Sequence, residues 1–248
     1  MPTIQINDTK LTFNITRYKN TDDWTDVIIE VENHYIKYRN SGEILEKAEV
    51  NCIIQTLNDL LDDKLKEPKR LSFTEPDISI TCYPPQIMTA GMNTEMGQLI
   101  YCEKGHSTDD CYIYFTIHFT DNSGAYVNEK WSVALERKEI LELLNGIEKE
   151  TGKRTNDEET VDVIGVSFIE DYTAITWYFD DGELHSDEFV IVKDKSGTER
   201  FGLVEYVRTY RKSKLPCPYE NLQNIIRHAT KEESTQAAKD WRDYWDNK

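Results

Sequence analysis

The chain contains no hydrophobic run that approaches the ~18 residues needed for a membrane-spanning helix. Its amino terminus has neither the basic segment nor the apolar segment of a secretory signal, so we expect a cytoplasmic protein. Five cysteines are an odd number, and they do not follow the spacing of a disulfide framework. We therefore expect reduced thiols, which pack as small apolar side chains.

The sequence also lacks the common motifs of nucleotide and hydrolase chemistry. It has no Gly-x-Gly-x-x-Gly loop, no Gly-x-x-x-x-Gly-Lys-Ser/Thr loop, no His-Glu-x-x-His motif and no Gly-x-Ser-x-Gly elbow. Glycine itself is scarce, with 11 in 248 residues, which is few for an enzyme that cradles phosphates. We expect no cofactor, and these absences disfavour the common nucleotide-binding and hydrolase classes.

Basic residues are fewer than acidic residues in this chain. The chain has 46 Asp and Glu against 29 Lys and Arg, which gives a net charge of −17. Such a field repels nucleic acid and anionic lipid, so neither is expected as a partner. It attracts a basic protein and speeds the encounter with it. The alternative is that the acidity serves solubility alone.

The pattern of apolar residues divides the chain into a first part, 1–150, and a second part, 161–248. A polar stretch over 150–160 contains no large apolar residue and predicts a linker. The first part reads as short strands with one helix in the middle and one at the end. The strands are expected at 26–31, 34–38, 71–80, 98–102, 111–120 and 130–135, and the helices at 45–65 and 137–149.

The second part reads as a small antiparallel sheet followed by helices. Strands are expected at 161–169, 172–179 and 184–193, and Asp181-Gly182 predicts a hairpin between the last two. Residues 201–210 fit a helix or a strand, 218–228 fit a helix that starts at Pro218, and Ser234 is expected to cap a last helix. The predicted fold class is α+β, with antiparallel sheets, helices packed on one face, two sub-domains and no internal repeat.

One stretch has residues that could bind a metal. Cys102, His106 and Cys111, with Cys82 upstream, are the ligand types that zinc prefers. Their spacing differs from the usual Cys-x-x-Cys pairs, and Cys111 opens an apolar strand. We favour buried or surface thiols and expect no metal site.

Two carboxylates flank Pro76 and could form an acid/base pair. Glu75 and Asp77, two residues apart on a strand, would face the same side, and carboxylates in one site push their pKa values apart. No histidine or third carboxylate lies nearby in the sequence. We favour a structural role, in which one of them accepts backbone N–H groups at the bend, and predict no catalytic residue.

Several of these segments occur together in a known family. The Trp24–Ile29 segment, the leucine-rich helix, Phe73-Thr-Glu-Pro-Asp77 and the Trp131–Leu135 strand with its following helix resemble the WapI-type bacterial immunity proteins. The resemblance covers residues 11–150 and nothing beyond. It implies a non-enzymatic protein that binds and neutralises a cognate toxin domain. Together with the acidic charge, it leads us to expect occlusion of a toxin such as a basic nuclease. The alternatives are an acidic binding or structural module without a toxin, and a hydrolase using Glu75 and Asp77.

An electrostatic contact with such a toxin would use carboxylates in turns and at helix ends, where they are exposed. A solvated loop charge is the alternative at each position. The partner-binding residues expected on this basis are Asp62, Asp63, Asp109, Asp110, Asp121, Asp180, Asp181 and Glu183.

Overall fold

The computed structural model describes residues 3–19, 21–85, 92–93, 99–100, 110–121, 123–154, 159–169, 171–180, 182, 184–194 and 196–246. Within these ranges the chain forms mostly antiparallel sheets and three α-helices, which confirms the predicted α+β class. The chain forms two compact units, Met1–Asp157 and Glu158–Lys248.

In the first unit, a four-stranded antiparallel meander is followed by a helix, and the same order then recurs. The first half consists of β1 (Thr3–Ile6), β2 (Thr9–Thr16), β3 (Trp24–Glu32), β4 (Lys37–Glu46) and α1 (Lys47–Leu61). The second half begins with β5 (Lys69–Ser72) and β6 (Ile78–Tyr83), and β7 (Met92–Asn93) and β8 (Leu99–Ile100) then form a separate pair. It ends with β9 (Tyr112–Thr120), β10 (Tyr126–Glu136) and α2 (Arg137–Glu150), and its sheet order is β10-β9-β6-β5.

The two helices begin in the same way, 90 residues apart. Glu46 and Glu136 are the N-cap residues, and each donates its backbone N–H to the glutamate three residues later, at 2.9 and 3.0 Å. The buried residues Val50, Ile53, Ile54 and Leu57 of α1 occupy the positions of Ile140, Leu143, Leu144 and Ile147 of α2. The expectation of no internal repeat is therefore wrong, because the pattern of burial recurs while the residue identities mostly differ.

A single hydrophobic core joins both sheets and both helices of this unit. Phe13 of β2 and Phe115 of β9 meet edge to face, with ring centroids 5.5 Å apart. Leu57 of α1 and Leu143 of α2 are fully buried in the same cluster. Burial of each such leucine contributes about 1.5–3 kcal/mol relative to an exposed one, so the two halves stabilise each other.

Several expectations for the first unit need correction. β1 and β2 were not predicted, and the strand expected at 34–38 begins only at Lys37 and continues to Glu46. Residues 71–80 are not one bent strand: β5 and β6 pair antiparallel, with Leu71 opposite Ile80, and 73–77 form the turn between them. Pro76 fits there because a turn requires no ladder hydrogen bond from it. The helix predicted over 45–65 is shorter, because Asp63 has a φ of 55° and so leaves the helical conformation.

The second unit is a six-stranded sheet with a terminal helix. Its elements are β11 (Thr160–Phe168), β12 (Asp171–Phe179), β13 (Phe189–Lys193), β14 (Glu199–Arg211), β15 (Gln223–Asn224), β16 (Arg227–His228) and α3 (Lys231–Asp246). Two short 3₁₀ turns, Lys212–Lys214 and Tyr219–Asn221, lie between β14 and β15. The strand order is β15-β12-β11-β14-β13-β16, and only the β12–β15 pair is parallel.

The hairpin predicted between 172–179 and 184–193 is wrong. β12 pairs with β11 and β15, whereas β13 pairs with β14 and β16. The turn that joins β11 to β12 brings Phe168 opposite Asp171, a far shorter connection than residues 180–188. Shorter loops cost less entropy to close, which favours the β11–β12 and β13–β14 hairpins.

The helix predicted over 218–228 is wrong as well. The segment contains one 3₁₀ turn and the two-residue strands β15 and β16, which add to opposite edges of the sheet. Leu222 and Ile225 pack against separate apolar clusters. Ser234 does not cap the last helix: α3 starts at Lys231, and the Thr230 Oγ1 accepts the N–H of Glu233 at 3.3 Å.

Candidate functional site

Three of the carboxylates expected at an interface meet at the carboxyl end of α1. Asp62 caps the helix and Asp63 follows it, while Asp110 precedes β9. The guanidinium of Arg137, only 3% exposed, ion-pairs with Asp63 at 3.3 Å and with Asp110 at 2.7 Å. Its Nη1 also donates to the carbonyl of Leu61 at 2.9 Å.

This cluster holds the unit together. Arg137 is the first residue of α2, so its contacts connect the start of α2 to the end of α1. A buried guanidinium requires neutralising partners, and Asp63 and Asp110 supply them. Asp62 instead accepts a hydrogen bond from Lys64 at 2.8 Å, which raises the pKa of that lysine. The carboxylates of this cluster therefore already form ion pairs or hydrogen bonds within the chain.

The other expected acids lie elsewhere. Asp121 stands at the opposite end of β9, where its Oδ1 accepts hydrogen bonds from the side chain and backbone of Ser123 and from the Ala125 N–H. These bonds, that from the Ser123 side chain above all, lower the pKa of Asp121. Asp180, in the second unit, accepts the N–H of Gly182 at 3.1 Å. Asp109, Asp181 and Glu183 lie outside the described residues.

The Glu75-Pro-Asp77 turn joins the two sheets of the first unit. Asp77 is 6% exposed; its Oδ1 accepts from the Asn40 side-chain amide at 2.6 Å and its Oδ2 from the Tyr126 hydroxyl at 2.9 Å. We expected either Glu75 or Asp77 to accept backbone N–H groups, and that is wrong for Asp77, whose donors are side chains of β4 and β10. Burial, together with the bond to Asp77, raises the pKa of Tyr126.

The same turn is tied to the start of α1. Glu49 Oε1 accepts the backbone N–H and the hydroxyl of Thr74, at 2.6 and 2.9 Å, while its Oε2 accepts the N–H of Glu46. Phe73 packs against the core beside it. The Phe-Thr-Glu-Pro-Asp motif thus locks a helix and two sheets together, a role that the sequence alone does not reveal because Asn40 and Tyr126 are distant along the chain.

Next to this turn, β10 departs from regular pairing. Tyr126 lies opposite Thr120 and Lys130 opposite His118, so that residues 127–129 stand across from Phe119 alone. Such a bulge bends a strand and redirects its side chains. Tyr126 and Val127 are 44% and 37% exposed, and no pattern in the sequence predicted them as site residues.

Of the four residues considered as metal ligands, the structure describes Cys82 and Cys111. Cys82 and Cys111 are buried, and burial raises the pKa of each thiol to about 12. Cys102 and His106 lie outside the described residues. No group of three or more His, Cys, Asp or Glu within the described ranges could hold a metal, and no helix there is long and apolar enough to cross a membrane.

The second unit has a cavity of about 540 Å³ beside β12 and β15. Its charged lining consists of Lys193, Asp194 and Glu220, with Trp177 and Cys217 nearby. Asp194 is engaged in its own turn, where it accepts the N–H groups of residues 196 and 198. Burial raises the pKa of the Cys217 thiol, and the described lining contains no histidine to act as its base. The cavity therefore offers no activated nucleophile.

Comparison with known proteins bears on the first unit. Residues 3–153 match the family model described as the Immunity protein WapI-like family. The match runs from β1 to just beyond α2 and so includes both repeated halves, whereas the second unit lies outside it. No curated protein and no solved structure matches the chain.

Proposed function

Because the chain belongs to the WapI-like immunity protein family, we propose that it binds a cognate protein toxin and blocks the toxin's active site, catalysing nothing itself. The observation that carries this proposal is the family match over the whole repeated unit, residues 3–153. Inhibition by occlusion needs a rigid surface, and the shared core and the Arg137 cluster supply that rigidity. The second unit is then an added module.

The net charge of −17 indicates the chemistry of the partner. A basic toxin would be steered toward this chain, and a nuclease is basic where it binds phosphates. The expected contacts in the first unit are Asp62, Asp63, Asp110 and Asp121, together with Asp109; Asp180, Asp181 and Glu183 would extend them on the second unit. The exposed Asp121 is best placed, since Asp63 and Asp110 also serve Arg137.

The carboxylates of the Glu75-Pro-Asp77 turn support a non-enzymatic role. Both oxygens of Asp77 accept hydrogen bonds from protein side chains, and the group is buried. A general acid or base must instead reach a substrate atom within hydrogen-bond distance. The free thiols of Cys82 and Cys111 fit a reducing cytoplasm, where an immunity protein would meet its toxin.

Co-expression tests this function. The C-terminal domain encoded by the gene directly upstream is expressed with and without this chain, and growth and co-purification are measured. We expect this chain to restore growth and to co-purify with that domain. Failure of both would overturn the proposal. We also expect binding to weaken as salt rises, because exposed charges are screened within about 8–10 Å. Affinity that does not change with salt would remove the electrostatic part.

A further inference from the structure

The β9–β10 hairpin presents a protruding segment on the first unit. Described residues from 121 to 130 are all exposed, and this includes the strand positions 126–130 on both faces of β10. β10 is the edge strand of its sheet, and residues 127–129 have no ladder partner on β9. The backbone N–H and C=O groups along the outer edge of β10 therefore face solvent or a partner.

The repeated half of the unit provides an internal comparison. The β3–β4 hairpin has a similar turn: Asn33 Oδ1 accepts the N–H groups of Tyr35 and Ile36, as Asp121 Oδ1 does for Ser123 and Ala125. From Glu32–Lys37 to Asp26–Glu43, however, its pairing is regular. The same fold thus closes this hairpin without a bulge beside the turn. In β3–β4 the irregularity lies at the other end of the hairpin, between Thr25 and Asp26, so the bulge beside Tyr126 is particular to the second half.

The aromatic side chain at the base of the bulge is held in place. The Tyr126 hydroxyl donates to the buried carboxylate of Asp77, which Asn40 also holds. The residue as a whole is nevertheless 44% exposed. A tyrosine fixed before binding loses little entropy on association, and tyrosine is enriched among the residues that dominate interfaces.

The charges around the segment favour a cationic partner. Asp121 and Glu129 are exposed and Glu75 is half-buried on the adjacent turn, whereas Lys130 is the one cation between residues 121 and 130. Arg70 is a second cation on this side, since it acts on His118 together with Lys130, so three carboxylates and two cations surround the segment. Tyr126 and Val127 supply apolar and aromatic surface, and the acids lie around them. Such a segment is complementary to a basic surface that contains a hydrophobic recess.

We propose that the bulge of β10, with Tyr126 and Val127 at its centre and Asp121 and Glu129 around them, is the anchor that contacts a basic surface of the toxin. The inference rests on the proposed function and locates its interface. It places the main contact at the hairpin end of the first unit, away from the carboxylates that neutralise Arg137.

Binding of the upstream-encoded toxin domain to purified full-length variants tests the anchor. V127K and E129K alter exposed side chains, so both should fold normally, as melting curves will show. We expect V127K to raise the Kd about tenfold or more, because it introduces a like charge into the centre of the contact. E129K should raise the Kd and also reduce its salt dependence. Y126F keeps the ring and should cause a smaller loss.

Two matched controls accompany these variants. I226K alters a residue of the second unit with 40% exposure, close to that of Val127, and E142K reverses an exposed acid on α2. Both should leave the Kd within about twofold of the wild type. Hydrogen exchange should show that the amides of residues 127–129 exchange rapidly in the free chain and are protected in the complex.

The outcomes separate the two proposals. If the wild type does not bind the toxin domain, the proposed function fails. If the wild type binds and V127K and E129K bind equally well, the function stands and the anchor is overturned. If V127K instead converts a dimer of this chain into a monomer and leaves toxin binding intact, the segment is a self-association surface, which also overturns the anchor.

Discussion

The Nε–H of buried Arg137 donates to both carboxylate oxygens of Asp110, at 2.7 and 2.9 Å. Arg137 is the first residue of α2, and Lys47 is its counterpart in the repeated half. Arg137 also contacts the carbonyl of Leu61 and the carboxylate of Asp63. This cation connects the two halves.

The R137M substitution should lower the free energy of unfolding of the first unit by about 3 kcal/mol, because removing one partner of a buried ion pair leaves the others uncompensated. Urea denaturation measures the change. K64A is the control: it removes the ion pair between the exposed Lys64 and Asp62, and we expect little effect on the free energy of unfolding. An R137M midpoint no lower than that of K64A would show that the cluster is dispensable.

Asp77 gives a second test of stability. In D77N an amide N–H₂ group replaces one carboxylate oxygen and faces a hydrogen-bond donor, either the Asn40 side chain or the Tyr126 hydroxyl. We expect the free energy of unfolding to fall by about 1–3 kcal/mol. Y126F should lower the free energy of unfolding by about 1 kcal/mol. The D77N/Y126F double variant should lose less than the sum of the two single losses, because the two residues share one hydrogen bond. Strict additivity in urea denaturation would contradict this contact. E32Q, at a surface pair with Lys37, is the control and should have little effect.

Both helices and several strands from β3 onward were predictable because their apolar residues recur with clear periods, whereas β1 and β2 were not predicted. α1 and α2 each bury one face, as their spacing indicated. A helix was wrongly predicted over 218–228 because Leu222, Ile225 and Ile226 also recur at helical spacing. There the extended backbone of Pro218 and Leu222 on either side of the 3₁₀ turn leads the chain into short edge strands instead.

The candidate site was less predictable, since its contacts join residues far apart in the chain. Asp77 meets Asn40 and Tyr126 only because β4, β6 and β10 converge, and periodicity carries no information on which strands become neighbours. Asp63 and Asp110 were singled out as exposed acids, but the burial of Arg137 depends on tertiary packing. The bulge of β10 likewise depends on its register against β9.

Burial should protect two thiols from alkylation. Cys82 and Cys111 are buried, and burial raises the pKa of each to about 12, so almost no thiolate exists at pH 8. Cys52 lies exposed on α1 and should react with N-ethylmaleimide in the folded protein. Mass spectrometry of proteolytic peptides distinguishes the sites, and urea should expose the two protected thiols. Rapid labelling of Cys82 or Cys111 without urea would show that the core opens locally.

Glu150 provides a pH-dependent test of the junction between α2 and the first sheet. β1 pairs with β2 only as far as Thr12, and beyond it the Ile15 N–H donates to Glu150 Oε2 at 2.6 Å. Burial raises the pKa of Glu150 above its ordinary value of 4.5, although the bond from Ile15 opposes the shift. The folded chain therefore retains this proton to a higher pH than the unfolded chain does.

The sign of the effect follows from that difference in proton binding. As pH rises through 4.5 to the raised pKa of Glu150, the unfolded chain releases the proton first, so this group makes the folded state progressively less stable. The E150Q variant keeps an acceptor for Ile15 but does not titrate. Its free energy of unfolding minus that of the wild type should therefore increase from about pH 4 to pH 7. E142Q, which also removes one negative charge from α2 but at an exposed position, is the control. A difference that decreases with pH would mean that Glu150 is stabilised as a carboxylate, and that its bond to Ile15 outweighs its burial.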